Sequence, residues 1–131
     1  MKLLLDTHTL LWHASGDPQM SGTATALLID PTNELFLSTA TLWEVAIKTG
    51  LKKLALSASY DVFMTRAIAG YGLTVLPITL DDCAAYEQLP FPDPHHRDPF
   101  DRMIIVHAQR GGLSIVGVDV AFDPYGVTRL W

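Results

Sequence analysis

The sequence predicts an α/β fold in which a mainly parallel sheet is covered by helices on both faces. Two observations predict it. Short apolar runs stop abruptly at aspartate, as in residues 2–6 (KLLLD) and 113–119 (LSIVGVD). Their unbroken hydrophobicity is that of strands buried on both sides, not the alternation of a half-exposed strand. Between such runs lie segments of helical periodicity, and strands alternating with helices are the pattern of a parallel sheet. At 131 residues the chain is one domain, residues 1–131, near the commonest domain size and large enough to bury a core.

The elements follow in order. A strand over 2–6 ends at Asp6, and a helix over 9–14 comes next, then another over 23–30. ELFLS, residues 34–38, is the second strand, rich in apolar and aromatic side chains. The helix after it spans 42–49, where Thr41-Leu42-Trp43-Glu44 has capping-box spacing, the glutamate placed to reach back to the cap's backbone N–H. A helix over 61–69 leads to a strand in LTVLPI, residues 73–78, with Pro77 near its end, where a missing N–H is tolerated. Helices over 81–88 and 99–110 follow, then the strand in 113–119, and GVTRLW at 126–131 adds a last edge strand.

The start of the 99–110 helix is readable in detail. A residue before proline is pushed out of the helical region, and proline itself is favoured at the first helical position. Asp98 is therefore the N-cap and Pro99 the first helical residue. Asp101 stands at the third helical position, whose backbone N–H the Asp98 carboxylate is placed to accept. That occupies Asp98 structurally and leaves the Asp101 side chain free, its charge favoured by the helix dipole. Arg102 and His96 flank it, either to orient it and touch substrate or as solvated surface.

Bulk composition narrows the function classes. Hydrophobic residues make up 49% of the chain and charged residues only 18%, against roughly 25% charged in soluble domains at large. So few charges predict exposed apolar surface, the usual mark of a partner or oligomer interface, unless the apolar excess lies wholly within the sheet core. Trp12 and Trp43 are the expected aromatic anchors of such an interface, with core positions as the alternative. The net charge of −5 argues against a sequence-tolerant nucleic-acid binder, whose affinity comes from phosphate neutralisation, unless metal ions offset the acids locally. Cys83 is the only cysteine, so no disulfide forms within the chain, which fits the cytoplasm. No run approaches the ~20 apolar residues of a membrane span or resembles a targeting peptide, so a soluble protein is expected.

In open parallel sheets ligands bind outside the carboxyl ends of the strands, where strand order reverses. Asp6 and Asp119 close two strands and would meet at that end; each alone could equally start a loop through bonds to nearby backbone. Glu44 follows the second strand and projects toward the same mouth. The chain's other glutamates, Glu34 and Glu87, have no such position. With Asp101 this makes four carboxylates, which cannot all stay ionised at neutral pH without compensation. A hard divalent cation resolves the conflict, and magnesium suits a few carboxylates plus water and substrate phosphate oxygens.

With these acids aligned, the chain resembles the PIN-domain nucleases, most closely the VapC-like toxins of bacterial toxin–antitoxin pairs. The resemblance covers essentially the whole length. It rests on LLLDTHTLLW, STATLWEVAIKTGLKKL, LPFPDPHHRDPFDRMIIVHA and IVGVDVAFDPYGV. It places the family's acids on Asp6, Glu44, Asp101 and Asp119. It implies a three-layer α/β/α fold and magnesium- or manganese-dependent endoribonuclease activity. It further implies a homodimer and inhibition by a cognate antitoxin protein whose tail enters the active-site groove. In one respect the chain departs from the family: many relatives carry Ser, Thr or Asn just before the last aspartate, where this chain has Gly117 and Val118. Thr7 and Ser38 are the hydroxyls left to take that place, or else ordinary caps.

Other readings fit less well. A phosphoacceptor receiver domain needs a lysine after a late strand, and the lysines here are Lys2, Lys48, Lys52 and Lys53. Haloacid-dehalogenase-like phosphatases need two aspartates flanking one residue, where this chain has Asp6-Thr7-His8. Adjacent His95 and His96 rarely bind one zinc ion together, and no cysteine pair completes a structural zinc site. A non-catalytic PIN-like interaction module is the remaining alternative, with four intact acids against it.

Overall fold

A computed structural model describes all 131 residues. The chain runs β1 (Lys2–Leu5), α1 (Thr7–Ser15), α2 (Gly22–Ile29), β2 (Glu34–Ser38), α3 (Thr39–Gly50), α4 (Tyr60–Gly70), β3 (Thr74–Leu76), α5 (Leu80–Gln88), α6 (Pro99–Gly111), β4 (Ser114–Val116), a 3-10 helix (Val120–Tyr125) and β5 (Arg129–Leu130). The sheet has five strands in the order β3-β2-β1-β4-β5, and every pairing is parallel. The expected α/β fold is found, with a wholly parallel sheet.

β1 sits at the centre because its apolar run serves both faces. Leu3 and Leu5 join one core with Leu37, Val45, Met64 and Val116, while Leu4 joins the other with Ile104, Ile105, Ile115 and Phe122. Successive strand side chains point to opposite faces, so three consecutive leucines, all fully buried, tie the two helical layers together. The chain builds outward from β1 to β2 and β3, then returns to the other side of β1 with β4. Strand order therefore reverses between β1 and β4, and the carboxyl ends of these two strands flank the crevice where such sheets bind ligands.

Several boundaries differ from the sequence reading: α1 already begins at Thr7 and β3 spans only Thr74–Leu76. α3 begins at Thr39 because Ser38, not Thr41, is its N-cap, accepting the Ala40 N–H at 3.0 Å. Glu44 thus lies in the second turn of α3 and takes no part in a capping box. The strand expected over 113–119 ends at Val116, and Asp119 instead opens the 3-10 helix, capping it through the Ala121 N–H at 2.9 Å. The edge strand within 126–131 contracts to Arg129–Leu130. α6 starts as expected: Pro99 is its first residue and the Asp98 carboxylate accepts the Asp101 N–H at 2.9 Å.

Candidate functional site

Asp6 leaves β1 at the reversal point and occupies the N-cap position of α1, yet its side chain makes no capping hydrogen bond. Its backbone holds it there: the Asp6 N–H reaches the Val116 carbonyl at 3.0 Å, continuing the β1–β4 ladder, and the Thr9 hydroxyl donates to the same carbonyl at 2.7 Å. The carboxylate is 3% exposed. Burial first, then the negative charges of Asp101, Glu44 and Asp119, push its pKa up to about 7. The Thr7 backbone N–H offsets part of the rise and His8 Nδ1 stands 3.9 Å from Oδ2, yet a carboxylate buried among like charges remains costly to keep.

Room for that carboxylate comes from Gly117. A methyl group there would lie 3.0 Å from the Asp6 Cβ and 3.5 Å from Oδ2. In the stretch that departs from relatives of the resembled family, Gly117 thus marks a close approach, where any side chain would require Asp6 to give by a few tenths of an ångström. Gly117→Ala is expected to displace Asp6 and so change the titration of its carboxyl group, read by NMR, while the melting temperature shifts by only a few degrees. An unchanged Asp6 titration would show that the site absorbs the methyl group.

Glu44 is also buried, and its two oxygens are spoken for. Oε1 accepts the Thr7 hydroxyl at 2.7 Å and Oε2 accepts Lys48 Nζ at 2.7 Å. Because Thr7 gives its single proton to Glu44, the 3.0 Å contact between the Thr7 and Thr41 hydroxyls must have Thr41 as donor. The chain Thr41 to Thr7 to Glu44 fixes the carboxylate against α1. Lys48 gains from the exchange: its hydrogen bond to Glu44 raises its pKa, with help from the charges of Asp98 and Asp101.

Asp101 projects from the first turn of α6, and burial raises its pKa despite a hydrogen bond from His96. His96 Nε2 lies 3.0 Å from its Oδ2. Asp119 is exposed and uses Oδ1 to cap the 3-10 helix. The four acids predicted from sequence therefore gather at one mouth, close enough for the charges of the other three to act on Asp6. No three His, Cys, Asp or Glu side chains close around a point tightly enough to enclose an ion by themselves. His95 stands apart from His96, exposed on the loop.

The supporting residues divide. Thr7 belongs to the site through Glu44. Ser38 does not: its hydroxyl caps α3 and contacts His107 Nδ1 at 3.0 Å, in a buried network reaching Asp82. Asp98 caps α6 as expected. Arg102 is not solvated surface. It is 1% exposed, its NH2 bonded to the Leu89 carbonyl at 2.8 Å, its NH1 to the Pro90 carbonyl at 3.0 Å, and its guanidinium 3.7 Å from the centre of the Phe91 ring. Position 102 on α6 faces the 89–91 loop, where carbonyls and aromatic faces replace water around the charge. His96 is likewise largely covered, wedged between Asp101 and Tyr125.

Sequence reasoning missed Lys48, Thr41 and Tyr125. Lys48 left a signal, an i,i+4 pair with Glu44. Tyr125 left none, since it reaches the site only through the fold. Of the two expected anchors, Trp43 is 62% exposed beside an apolar cleft of about 370 Å³ walled by Ile78, Tyr86, Phe100 and Met103. Trp12 is half-buried against His8 and Trp131. It lines a groove of about 730 Å³ that borders the acids at His8 and Lys48 and continues to Lys53, Leu56 and Phe63. No helix is long and apolar enough to cross a membrane.

A family model described as PIN domain matches residues 3–126. No curated protein matches the sequence. Among solved structures, VapBC2 from Rickettsia felis, bound to a DNA fragment from its promoter, superimposes with a TM-score of 0.74 at 15% identity, covering 99% of this chain and 98% of that one. DNA-bound VapBC from Salmonella typhimurium gives a TM-score of 0.70 at 20% identity, covering 99% and 97%. Mycobacterium tuberculosis VapC20, a toxin that cleaves the sarcin–ricin loop, gives 0.67 at 17% identity, covering 96% of each chain.

Proposed function

The chain belongs to the PIN-domain family, and on that premise we propose that it is a magnesium- or manganese-dependent endoribonuclease, the toxin of a toxin–antitoxin pair. The observation that carries the proposal is Asp6: a buried carboxylate at the reversal point of the sheet, raised to about 7 by its surroundings and making no capping hydrogen bond to the helix it opens. Asp6, Glu44, Asp101 and Asp119 would hold the cation. When bound, it offsets their repulsion and supplies Lewis acidity toward a phosphodiester and its attacking water.

The chain's own groups prepare the site. Thr7 and Thr41 hold Glu44 in one orientation. Lys48 holds the second oxygen of Glu44 and places a positive group at the mouth for substrate phosphate. Leucines on both faces of β1 seal the site from below, which strengthens every charge interaction above it. For a chain of net charge −5, attraction of RNA depends on that lysine and the bound cation together.

The groove leading from His8 and Lys48 past Trp12 gives an RNA strand, or the tail of an antitoxin, a path to the acids. The exposed Trp43 cleft suits a homodimer. A non-catalytic interaction module is the second reading, and the arrangement around Asp6 and Glu44 speaks against it, because a protein freed from catalysis gains stability by losing such a cluster.

Purified protein is expected to cut RNA in magnesium or manganese and to stop in EDTA, with discrete new 5′ ends when the protein is expressed in a bacterial host. Cutting that continues in EDTA would remove the metal mechanism.

A further inference from the structure

Arg102, Tyr125 and Asp101 together favour one placement of the proton on the His96 ring. A guanidinium can only donate, and Arg102 NH1 lies 3.2 Å from the Tyr125 hydroxyl, so that oxygen accepts from it. A phenol oxygen has room for more than one donor, so this leaves the tyrosine's own proton free, though not forced, to go to its other neighbour, His96 Nδ1, at 3.1 Å. With Nδ1 accepting, neutral His96 carries its hydrogen on Nε2, which points at Asp101 Oδ2 at 3.0 Å. The opposite tautomer would set a lone pair against the carboxylate.

We propose that Tyr125 is a positioning residue for Asp101: through the relay Arg102 to Tyr125 to His96 it favours the Nε2–H tautomer, so that Asp101 is held by one oxygen and its other oxygen would be left to a cation. Partners of this kind, standing behind a ligand, set both its orientation and its basicity. The buried setting of Arg102 explains why the relay has a fixed direction. Its guanidinium is pinned by two carbonyls and the Phe91 ring and cannot turn away from Tyr125, whereas a solvated arginine would share its donors with water. Tyr125 itself ends the 3-10 helix that Asp119 opens, so one short segment carries both a carboxylate of the site and the group that orients another.

The inference rests on Asp101 holding metal, and its test separates the two ideas. In metal-free protein, ¹⁵N spectra of the His96 ring are expected to report an Nε2–H imidazole; an Nδ1–H imidazole would overturn the relay whether or not metal binds. Manganese titration then measures the consequence. Tyr125→Phe is expected to weaken manganese binding by roughly 10- to 100-fold, the usual range for groups behind a ligand. His96→Gln supplies an amide donor to Asp101 that needs no tautomer, so adding Tyr125→Phe to it is expected to cost less than about twofold. An equal loss in both backgrounds would reduce Tyr125 to packing. An Nε2–H ring in a wild-type protein that binds no manganese would leave the relay standing and remove the metal reading instead.

Discussion

Asp6→Asn is expected to stabilise the metal-free protein while lowering RNA cleavage by orders of magnitude. The folded-state pKa of Asp6 is raised from 3.8 to about 7, burial being the largest cause. In that interval the native state binds the proton more tightly than the unfolded chain, so stability falls as pH rises. The cost is absent below about pH 4 and complete above about pH 7. At about 1.4 kcal/mol per pH unit it amounts to no more than roughly 4 kcal/mol. Asparagine has nearly the same shape and no charge to desolvate, so its advantage over wild type grows across that interval and is greatest in alkaline buffer. Magnesium should raise the wild-type melting temperature at pH 8 and leave the variant unmoved, because a neutral amide is a poor ligand for it. Thermal melts across this pH range, with and without magnesium, make the comparison. Equal stability of the two proteins at pH 8 would mean that Asp6 carries no buried charge.

The two aspartates of RDPFD are expected to separate cleanly. Asp98 accepts the Asp101 N–H, so Asp98→Ala should cost roughly 0.5–2 kcal/mol, and Asp98→Asn or Asp98→Ser should restore most of it. Activity lost with Asp98→Ala follows from a frayed first turn and should return with the capping variants. Asp101→Asn should do the reverse. It removes a partly buried charge held above its ordinary pKa by that burial, so the fold is at least as stable, while cleavage drops by orders of magnitude. Melts and metal-dependent cleavage on the four variants decide it. An inactive Asp98→Asn beside an active Asp101→Asn would exchange the two roles.

Local order determined much of this protein in advance. Unbroken leucines in β1, prolines that restrict the residue before them and aspartates that end apolar runs act over a few residues, so the strand–helix order, the start of α6 and the Asp98 cap were all legible. So was the gathering of Asp6, Glu44, Asp101 and Asp119, since parallel sheets bring strand ends to one side whatever the loops do. The capping of α3 was not, because Ser38 and Thr41 are chemically equal candidates and only the exit direction of β2 chooses between them. Nor was the burial of Arg102. A charged side chain beside a solvated-looking aspartate reads as surface, and what makes it interior is a cage of carbonyls and rings from the 89–91 loop and Tyr125, up to 23 residues away in sequence. The same holds for Gly117, whose missing side chain matters only because β4 lies beside β1 and brings it against Asp6. Sequence spacing carries information about neighbours on one element; which side chains share a desolvated space across elements is decided by packing, and there the properties of Asp6, His96 and Arg102 are set.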